Sequence, residues 1–285
     1  MNVYNKEIFI DKKSSPKNWN DTLREFLNKN GYFDSEYSPG LYVSQDDNTV
    51  IAAYVDDTMI SAPDEDTLDR IIDMFKQEFD LEEDGITDSK GIVDVDVLGI
   101  DLIYDTNNWT CSLSLESYIT ENITKKYPEI AKGTPTEVPH FSVYKLHPKT
   151  DKGDWKDEED KKIKIKYLQK MIGQLGYLRC RGRTDIEFAI GKISRYTNFP
   201  HSRVIKAVEK IINFVINNAN QKTILRQCQQ ENPTITVITD ASLSSEYDRK
   251  SRIGTHIWYG NNILYSYSKK TSITCDSASE SELRN

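Results

Sequence analysis

Apolar and polar residues recur with two different periods along this chain, and the changes of period divide it into elements. Near the start, apolar residues three or four positions apart indicate a helix that begins close to Pro16 and ends at Gly31: Trp19, Leu23, Phe26 and Leu27. A short strand is predicted before it, at Glu7–Ile10. Between residues 41 and 62 the pattern changes to short runs rich in β-branched residues, which are typical of adjacent strands.

The helical period returns after Pro63, where acidic residues in the first turn favour a helix start. An apolar stripe follows and is predicted to pack against the preceding sheet: Leu68, Ile71, Ile72, Phe75 and Phe79. Residues 92–105 then alternate between apolar and polar positions, so we predict a single half-exposed strand there.

The second half of the chain is predicted to be helical and then β-stranded. Helices are expected near 116–127 and at 157–181, 184–197 and 201–218. Thr184 and Glu187 have the spacing of a capping box. Strands are expected at 234–242, 252–259 and 263–268, with a tight turn at Gly260 and an acidic helix start after the last strand. Together these elements predict an α+β fold.

Charge is distributed unevenly, although the net value of −8 argues against nucleic-acid binding when it is taken as an average. Residues 161–210 hold 13 Lys and Arg against three Asp and Glu, so this basic block carries +10 and the remainder carries −18. Residues 64–101 alone hold 14 acids and three bases. A basic block in an acidic protein can follow a phosphate backbone, and a pair of solvated helix faces is the alternative interpretation.

The remaining composition is typical of a globular protein in a reducing compartment. With 285 residues, 37% of them hydrophobic, the chain can form one large or two modest domains. Its four cysteines are widely spaced and its four histidines lack the spacing of a zinc site. No apolar run approaches 18 residues and no signal pattern opens the chain, so we expect a soluble cytoplasmic protein without a membrane partner, the nucleus being the alternative location.

Two adjacent acids, Asp56 and Asp57, interrupt the apolar hairpin and give the strongest chemical signal. A carboxylate buried without a partner costs several kcal/mol, so we expect these acids to face water or a cation. Mg²⁺ suits them because it binds hard oxygen ligands and uses one or two protein carboxylates beside substrate phosphates. A solvated hairpin tip is the alternative.

The string Tyr54-Val55-Asp56-Asp57 within apolar flanks resembles the palm hairpin of reverse transcriptases. Two further motifs resemble those of the copia-type LTR retrotransposons of yeasts: Ser15-Pro16-Lys17-Asn18-Trp19 and Tyr37-Ser38-Pro39-Gly40-Leu41-Tyr42. The segment Arg183-Thr184-Asp185-Ile186 is similar to part of that family's thumb-to-connection stretch. The resemblance implies that Asp56 and Asp57 are catalytic metal ligands of a polymerase.

The last region resembles ribonuclease H in its order of three strands and an acidic helix start. The resemblance implies that Asp240, at the end of the first strand, and Glu282, in the helix, are catalytic metal ligands, with Glu280 as the alternative by register. Asp94 and Asp96 share a strand face and Asp11 follows the first strand. We favour a charged sheet edge for Asp94 and Asp96 over metal binding, and the resemblance gives Asp11 no metal-binding role.

The resemblance also implies four parts. Residues 1–127 would form a partial reverse-transcriptase palm, 128–156 a proline-rich connecting segment, 157–230 a helical thumb/connection region, and 231–285 a truncated ribonuclease H-like domain.

Both activities of the family place several carboxylates around two Mg²⁺ ions, roughly 3.5–4 Å apart. The family's upstream palm aspartate and its later ribonuclease H acids have no counterpart here, so we expect a truncated segment without turnover by itself. Expected partners are an RNA–DNA hybrid or primer-template and a full-length retrotransposon polymerase. The alternative function is a non-enzymatic nucleic-acid-binding or polymerase-interacting module. Truncation is also expected to leave Ile238 and Ile257 open to water.

Overall fold

The computed structural model describes residues 4–10, 16–44, 46–55, 57–84, 91–139, 146–148, 150–228 and 232–283. The chain divides into two compact units, Met1–Cys111 and Ser112–Asn285. Each unit combines helices with antiparallel strands, which confirms the predicted mixture of helix and strand. Within these described ranges, no helix has both the length and the apolar character needed to cross a bilayer.

Among its described residues, the first unit contains a six-stranded antiparallel sheet, two helices and a hairpin outside that sheet. Its elements are β1 (Tyr4–Ile10), α1 (Pro16–Lys29), β2 (Tyr32–Ser35), β3 (Ser38–Ser44), β4 (Val50–Tyr54), β5 (Asp57–Ala62), α2 (Glu65–Glu78), β6 (Leu81–Asp84), β7 (Ile92–Val97) and β8 (Ile100–Asp105). The sheet has the strand order β2-β3-β4-β5-β1-β6, so the strands that flank the acidic bend lie at its centre.

The core of the first unit forms where the apolar stripes of α1 and α2 meet the sheet. The Asp64 carboxylate accepts a hydrogen bond from the Thr67 amide at 2.7 Å and caps α2. The rings of Phe26 and Phe75 meet edge to face across the two helices, with centroids 5.2 Å apart. The buried cluster joins both helices to the hairpin strands and confirms the predicted packing of the α2 stripe; it includes Leu23, Leu27, Ile51, Ile60, Ile71 and Phe75.

Residues 92–105 form a hairpin of two antiparallel strands, so the prediction of a single strand is wrong. Leu98 and Gly99 turn the chain with φ of +55° and +76°. The Gly99 amide donates to the Asp96 carboxylate at 2.9 Å and stabilises the turn. The pattern conceals this turn because leucine rarely adopts a positive φ and the valine alternation continues up to it.

The second unit contains a group of helices and a three-stranded sheet. Strand β9 (Thr110–Ser114) runs across the boundary between the units and is followed by α3 (Glu116–Ile119), which continues as a π-helical turn to Thr124. The later elements are α4 (Pro128–Ala131), α5 (Glu158–Cys180), α6 (Glu187–Ile193), α7 (Ser202–Asn217), β10 (Thr223–Arg226), β11 (Ile235–Ser242), β12 (Arg252–Tyr259), β13 (Asn262–Lys270) and α8 (Ala278–Leu283).

Helices α5, α6 and α7 bury a shared apolar core, as their helical period predicts; it includes Leu168, Leu175, Ile190, Val204, Val208 and Ile212. The predicted capping box is wrong, because no side chain caps α6. The Glu187 carboxylate instead accepts a hydrogen bond from the Ser268 amide of β13 at 2.9 Å, and its other oxygen lies 3.4 Å from Arg179 Nε. Glu187 therefore contacts the sheet instead of capping its own helix.

The sheet of the second unit has the order β11-β12-β13, which makes β11 an edge strand. Ile235, Val237 and Ile238 of β11 are 68%, 55% and 55% exposed, so both faces of this strand meet solvent. The exposure of Ile238 confirms the expectation of an incompletely covered sheet, whereas Ile257 is half-buried.

Helix α6 packs closely on the sheet at Gly191. A Cβ atom at Gly191 would lie 2.8 Å from both the Ser268 carbonyl oxygen and Arg252 Nη1, which is closer than Cβ atoms approach other atoms. The absence of a side chain at this position therefore sets the distance between α6 and β13.

We expect Gly191→Ala to lower the free energy of unfolding by about 1 kcal/mol or more, because overpacking outweighs the helix propensity of alanine. Gly176→Ala in α5 is the matched control, since a Cβ there meets nothing within 4 Å. It should raise the free energy of unfolding by up to about 1 kcal/mol. Urea denaturation measures both changes, and equal stabilisation by the two alanines would contradict the close contact at Gly191.

Candidate functional site

The acidic bend joins β4 to β5 at the centre of the first sheet. Tyr54 and Asp57 face each other across the two strands, so only Val55 and Asp56 connect them. Asp57 is half-buried at the start of β5, and Asp56 lies outside the described residues. The structure therefore confirms the predicted hairpin and leaves the catalytic role of the two aspartates as a prediction.

Val55 holds the bend in a strained conformation. Its φ of +58° lies in the left-handed region, which β-branched residues rarely adopt, and its side chain is 46% exposed. Trp19 Nε1 donates a hydrogen bond to the Val55 carbonyl oxygen at 2.6 Å from the buried face of α1. Strain of this kind costs on the order of 1–3 kcal/mol and persists only where the surroundings impose it. The tryptophan of the Ser-Pro-x-x-Trp motif thus fixes the backbone beside the two acids.

The lead-in motif at Tyr37–Tyr42 has a steric explanation at Gly40. Its φ is +80°, and a Cβ there would lie 2.7 Å from the Ala53 carbonyl oxygen of β4. Gly40, Ala53 and Asp57 also line a mainly apolar cavity of about 190 Å³ beside the bend. Glycine is therefore needed for β3 to approach β4 next to the acidic residues.

Asp240 and Glu282 lie close together in the second unit. Asp240 is on β11, and Glu282 Oε1 accepts a hydrogen bond from the adjacent Ala241 amide at 3.1 Å. Glu280 Oε2 accepts instead from the Asp276 amide at 2.8 Å, at the start of its own helix. The geometry favours Glu282 over Glu280 as the neighbour of Asp240, as the resemblance implies.

Asp94, Asp96 and Asp11 are the other acids that the sequence offers as metal ligands. Asp96 caps the turn between β7 and β8, and Asp94 is exposed on the same face of β7. Asp11 lies outside the described residues.

Two Mg²⁺ ions do not fit the carboxylates of the described residues. No group of three or more His, Cys, Asp or Glu side chains in those parts of the chain is placed to hold a metal. Glu282 contacts the backbone amide next to Asp240, and Asp57 is the single described acid of the acidic bend. A two-metal centre needs several carboxylates around the ions, so no catalytic step is derived from either set.

Comparison with known proteins finds sequences that are similar to this chain. Residues 3–141 match the reverse transcriptase (RNA-dependent DNA polymerase) family. Over 275 residues, 95% of this chain, the sequence is 26% identical to the Transposon Ty1-MR1 Gag-Pol polyprotein of Saccharomyces cerevisiae. The Transposon Ty1-BL Gag-Pol polyprotein of the same yeast matches equally well. These matches support the interpretation of the chain as a segment of a copia-type retrotransposon polyprotein. The chain covers 15% of the length of these relatives, and no solved structure matches it.

A buried ion cluster of this chain was not predicted from its sequence. The Glu246 side chain, 2% exposed, contacts Lys192 Nζ at 2.8 Å, Arg252 Nε at 2.6 Å and the guanidinium of Arg195. Lys192 also donates to the Ser245 carbonyl oxygen at 3.2 Å. The position of Lys192 in the sequence is the feature that could have indicated this cluster, because it places a cation among apolar residues of the helix that are buried, such as Ala189 and Ile193.

Positive charge exceeds negative charge in this cluster. Burial lowers the pKa of Lys192 to about 8, and the charges of Arg252 and Arg195 act in the same direction. Burial also lowers the pKa of Arg252 to about 10, with Arg195 adding to the effect and Glu187 opposing it. Among the side chains in direct contact with Glu246, three cations share one carboxylate.

We expect Val55→Asn to raise the free energy of unfolding by about 0.5–1 kcal/mol, because asparagine tolerates the left-handed conformation that valine resists. Val237→Asn is the matched control, since Val237 is similarly exposed but lies on an extended strand. The control should show no gain. Urea denaturation of both variants checks this, and a loss of stability in Val55→Asn equal to that of the control would contradict the strain at the bend.

Proposed function

We propose that this part of the polyprotein binds an RNA–DNA hybrid without turnover by itself. In this proposal, residues 1–127 correspond to part of the palm and residues 157–230 to the thumb/connection region. Residues 128–156 connect the palm part to the thumb/connection region, and residues 231–285 correspond to the ribonuclease H-like domain. The acidic bend between β4 and β5 supports the palm assignment, and the hydrogen bond of Glu282 to the amide next to Asp240 supports the ribonuclease H assignment.

The observation that carries the proposal is a pair of exposed cationic stripes in the helical region. Lys162, Lys166 and Lys170 recur every four residues on α5, and each is solvent-exposed. Arg203, Lys206 and Lys210 form a second exposed stripe on α7. Residues three or four positions apart lie on one helix face, about 4.5–6 Å apart along the axis. Such rows are suited to a phosphate backbone.

The other cations of the basic block have partners inside the protein. Arg183 forms two hydrogen bonds with the Asp185 carboxylate, at 2.9 and 2.8 Å. Lys192 and Arg195 contact Glu246, and Arg179 lies near Glu187. The block therefore combines structural ion pairs with an outer cationic surface, and the six exposed residues are the ones proposed to contact nucleic acid.

The absence of turnover is proposed from the ligand count. Reverse transcriptases generally use Mg²⁺, and Mg²⁺ would need Asp56 and Asp57 at the bend or Asp240 and Glu282 at the sheet. Among the described residues, neither place supplies the several carboxylates that two ions need.

We expect the triple change of Lys162, Lys166 and Lys170 to Gln to weaken binding of a labelled RNA–DNA hybrid and to reduce its dependence on salt. Removing three phosphate contacts should reduce the magnitude of the negative slope of log K against log salt by about 3. Fluorescence anisotropy at several salt concentrations measures both quantities.

The matched control replaces Lys125, Lys132 and Lys222 by Gln, which removes the same charge from exposed positions outside the basic block. Its slope should stay close to that of the unmodified chain. Equal losses in both triple variants, or no binding by the unmodified chain at low salt, would refute the proposed surface. The same hybrid incubated with Mg²⁺ should remain intact, and cleavage that Asp240→Asn abolishes would refute the absence of turnover.

A second candidate is association with another polymerase chain. The exposed apolar edge of β11 favours it, because unpaired edge strands readily pair with other strands. Binding to full-length polymerase, but not to the hybrid, would favour this candidate.

A further inference from the structure

A cavity of about 350 Å³ opens beside Asp240 in the second unit. Helix α6 and all three strands of the β11–β13 sheet contribute to its lining, which includes Phe188, Lys192, Asp240, Arg252, Gly254 and Ser268. This volume lies within the range of ligand sites in proteins, roughly 300–1,000 Å³. The cavity is therefore large enough for a chemical group carried by a partner molecule.

Strand register explains why the cavity is open. Asp240, Gly254 and Ser268 form one row across the three strands, so they share a face of the sheet. Gly254 stands in the middle of this row and adds no side chain. A Cβ at Gly254 would meet only the Tyr267 carbonyl oxygen, at 4.0 Å, so the backbone has room for a larger residue.

The inner wall of the cavity carries excess positive charge. Lys192 and Arg252 line it and share Glu246 with Arg195. The nearby Glu187 is close to Arg179, and Asp248 is paired with Lys270 at 2.7 Å. Asp240 is the acid that lines the cavity itself. An anion in the cavity would therefore reduce the imbalance around Glu246.

Ser245 supplies a hydrogen-bonding group at the same place. Ser245 lines the cavity, and its hydroxyl oxygen is buried and has no hydrogen-bond partner within the described parts of the chain. Buried hydroxyl groups nearly always have a partner, so an unpaired one requires an explanation. A bound oxyanion would accept its hydrogen bond.

We infer that this cavity binds a phosphate group of a nucleic-acid strand, with charge supplied by Lys192 and Arg252 and a hydrogen bond supplied by Ser245. The inference rests on the proposed binding of an RNA–DNA hybrid and adds a specific contact to it. A phosphate held here would fix the position of the strand relative to Asp240. A free phosphate ion has the same chemistry, so the test must distinguish the two sources.

Gly254→Val tests the inference because it places a side chain in the cavity without changing any charge. Valine suits an extended strand, so the sheet is expected to form. We expect the affinity for the hybrid at 0.15 M salt to fall about fivefold. The magnitude of the slope of log K against log salt should fall by about 0.9, the effect of one phosphate contact. Gly176→Val is the control, since its side chain would enter open space on α5.

Inorganic phosphate provides the second arm. NMR of the Lys192 ammonium group should show its pKa rising when phosphate is added to the unmodified chain, and no response in Gly254→Val. If Gly254→Val binds the hybrid with the same slope of log K against log salt as the unmodified chain, the inference is refuted. A phosphate response without an effect of Gly254→Val on the hybrid would indicate a small-anion site only and would also refute it. If the unmodified chain binds phosphate but no hybrid, the proposed function fails while the anion site remains.

Discussion

The burial of Glu246 among three cations is the interaction on which the second unit depends. Lys192 and Arg195 come from α6 and the turn after it, and Arg252 comes from β12, so one carboxylate joins the helices to the sheet. A buried charge is tolerated only when it is paired and hydrogen-bonded. Gly191 permits the close approach that brings these charges together. The basic helical region and the strand that carries Asp240 are consequently held in one geometry.

Both candidate sites share a structural principle, in which a distant side chain fixes the backbone next to an acid. Trp19 binds the carbonyl oxygen of Val55, beside the acidic bend, and Glu282 binds the amide of Ala241, beside Asp240. In each case the contact is made by a helix to the end of a strand. Motifs that are separated in the sequence thereby become parts of one local site.

Elements with a long, regular pattern could be predicted from the sequence, whereas features that depend on distant partners could not. The stripes of α1, α2, α5 and α7 are long enough to identify helices. The turn at Leu98 depends on a left-handed conformation that leucine gives no reason to expect. The spacing of Thr184 and Glu187 predicts a local cap, whereas the partner of Glu187 in the structure, Ser268, lies 81 residues away. Glu246 gave no signal for the same reason, since Lys192 and Arg195 precede it by about 50 residues.

The most direct test of this account is the stability of Glu246→Gln, measured by urea denaturation beside Asp248→Asn. Loss of the Glu246 charge leaves Lys192, Arg195 and Arg252 without the carboxylate that they share, so the free energy of unfolding should fall by about 3–5 kcal/mol. Asp248 pairs with Lys270 nearer to solvent, and its change should cost about 1 kcal/mol or less. Equal, small losses in the two variants would contradict the claim that Glu246 holds the helices and the sheet together.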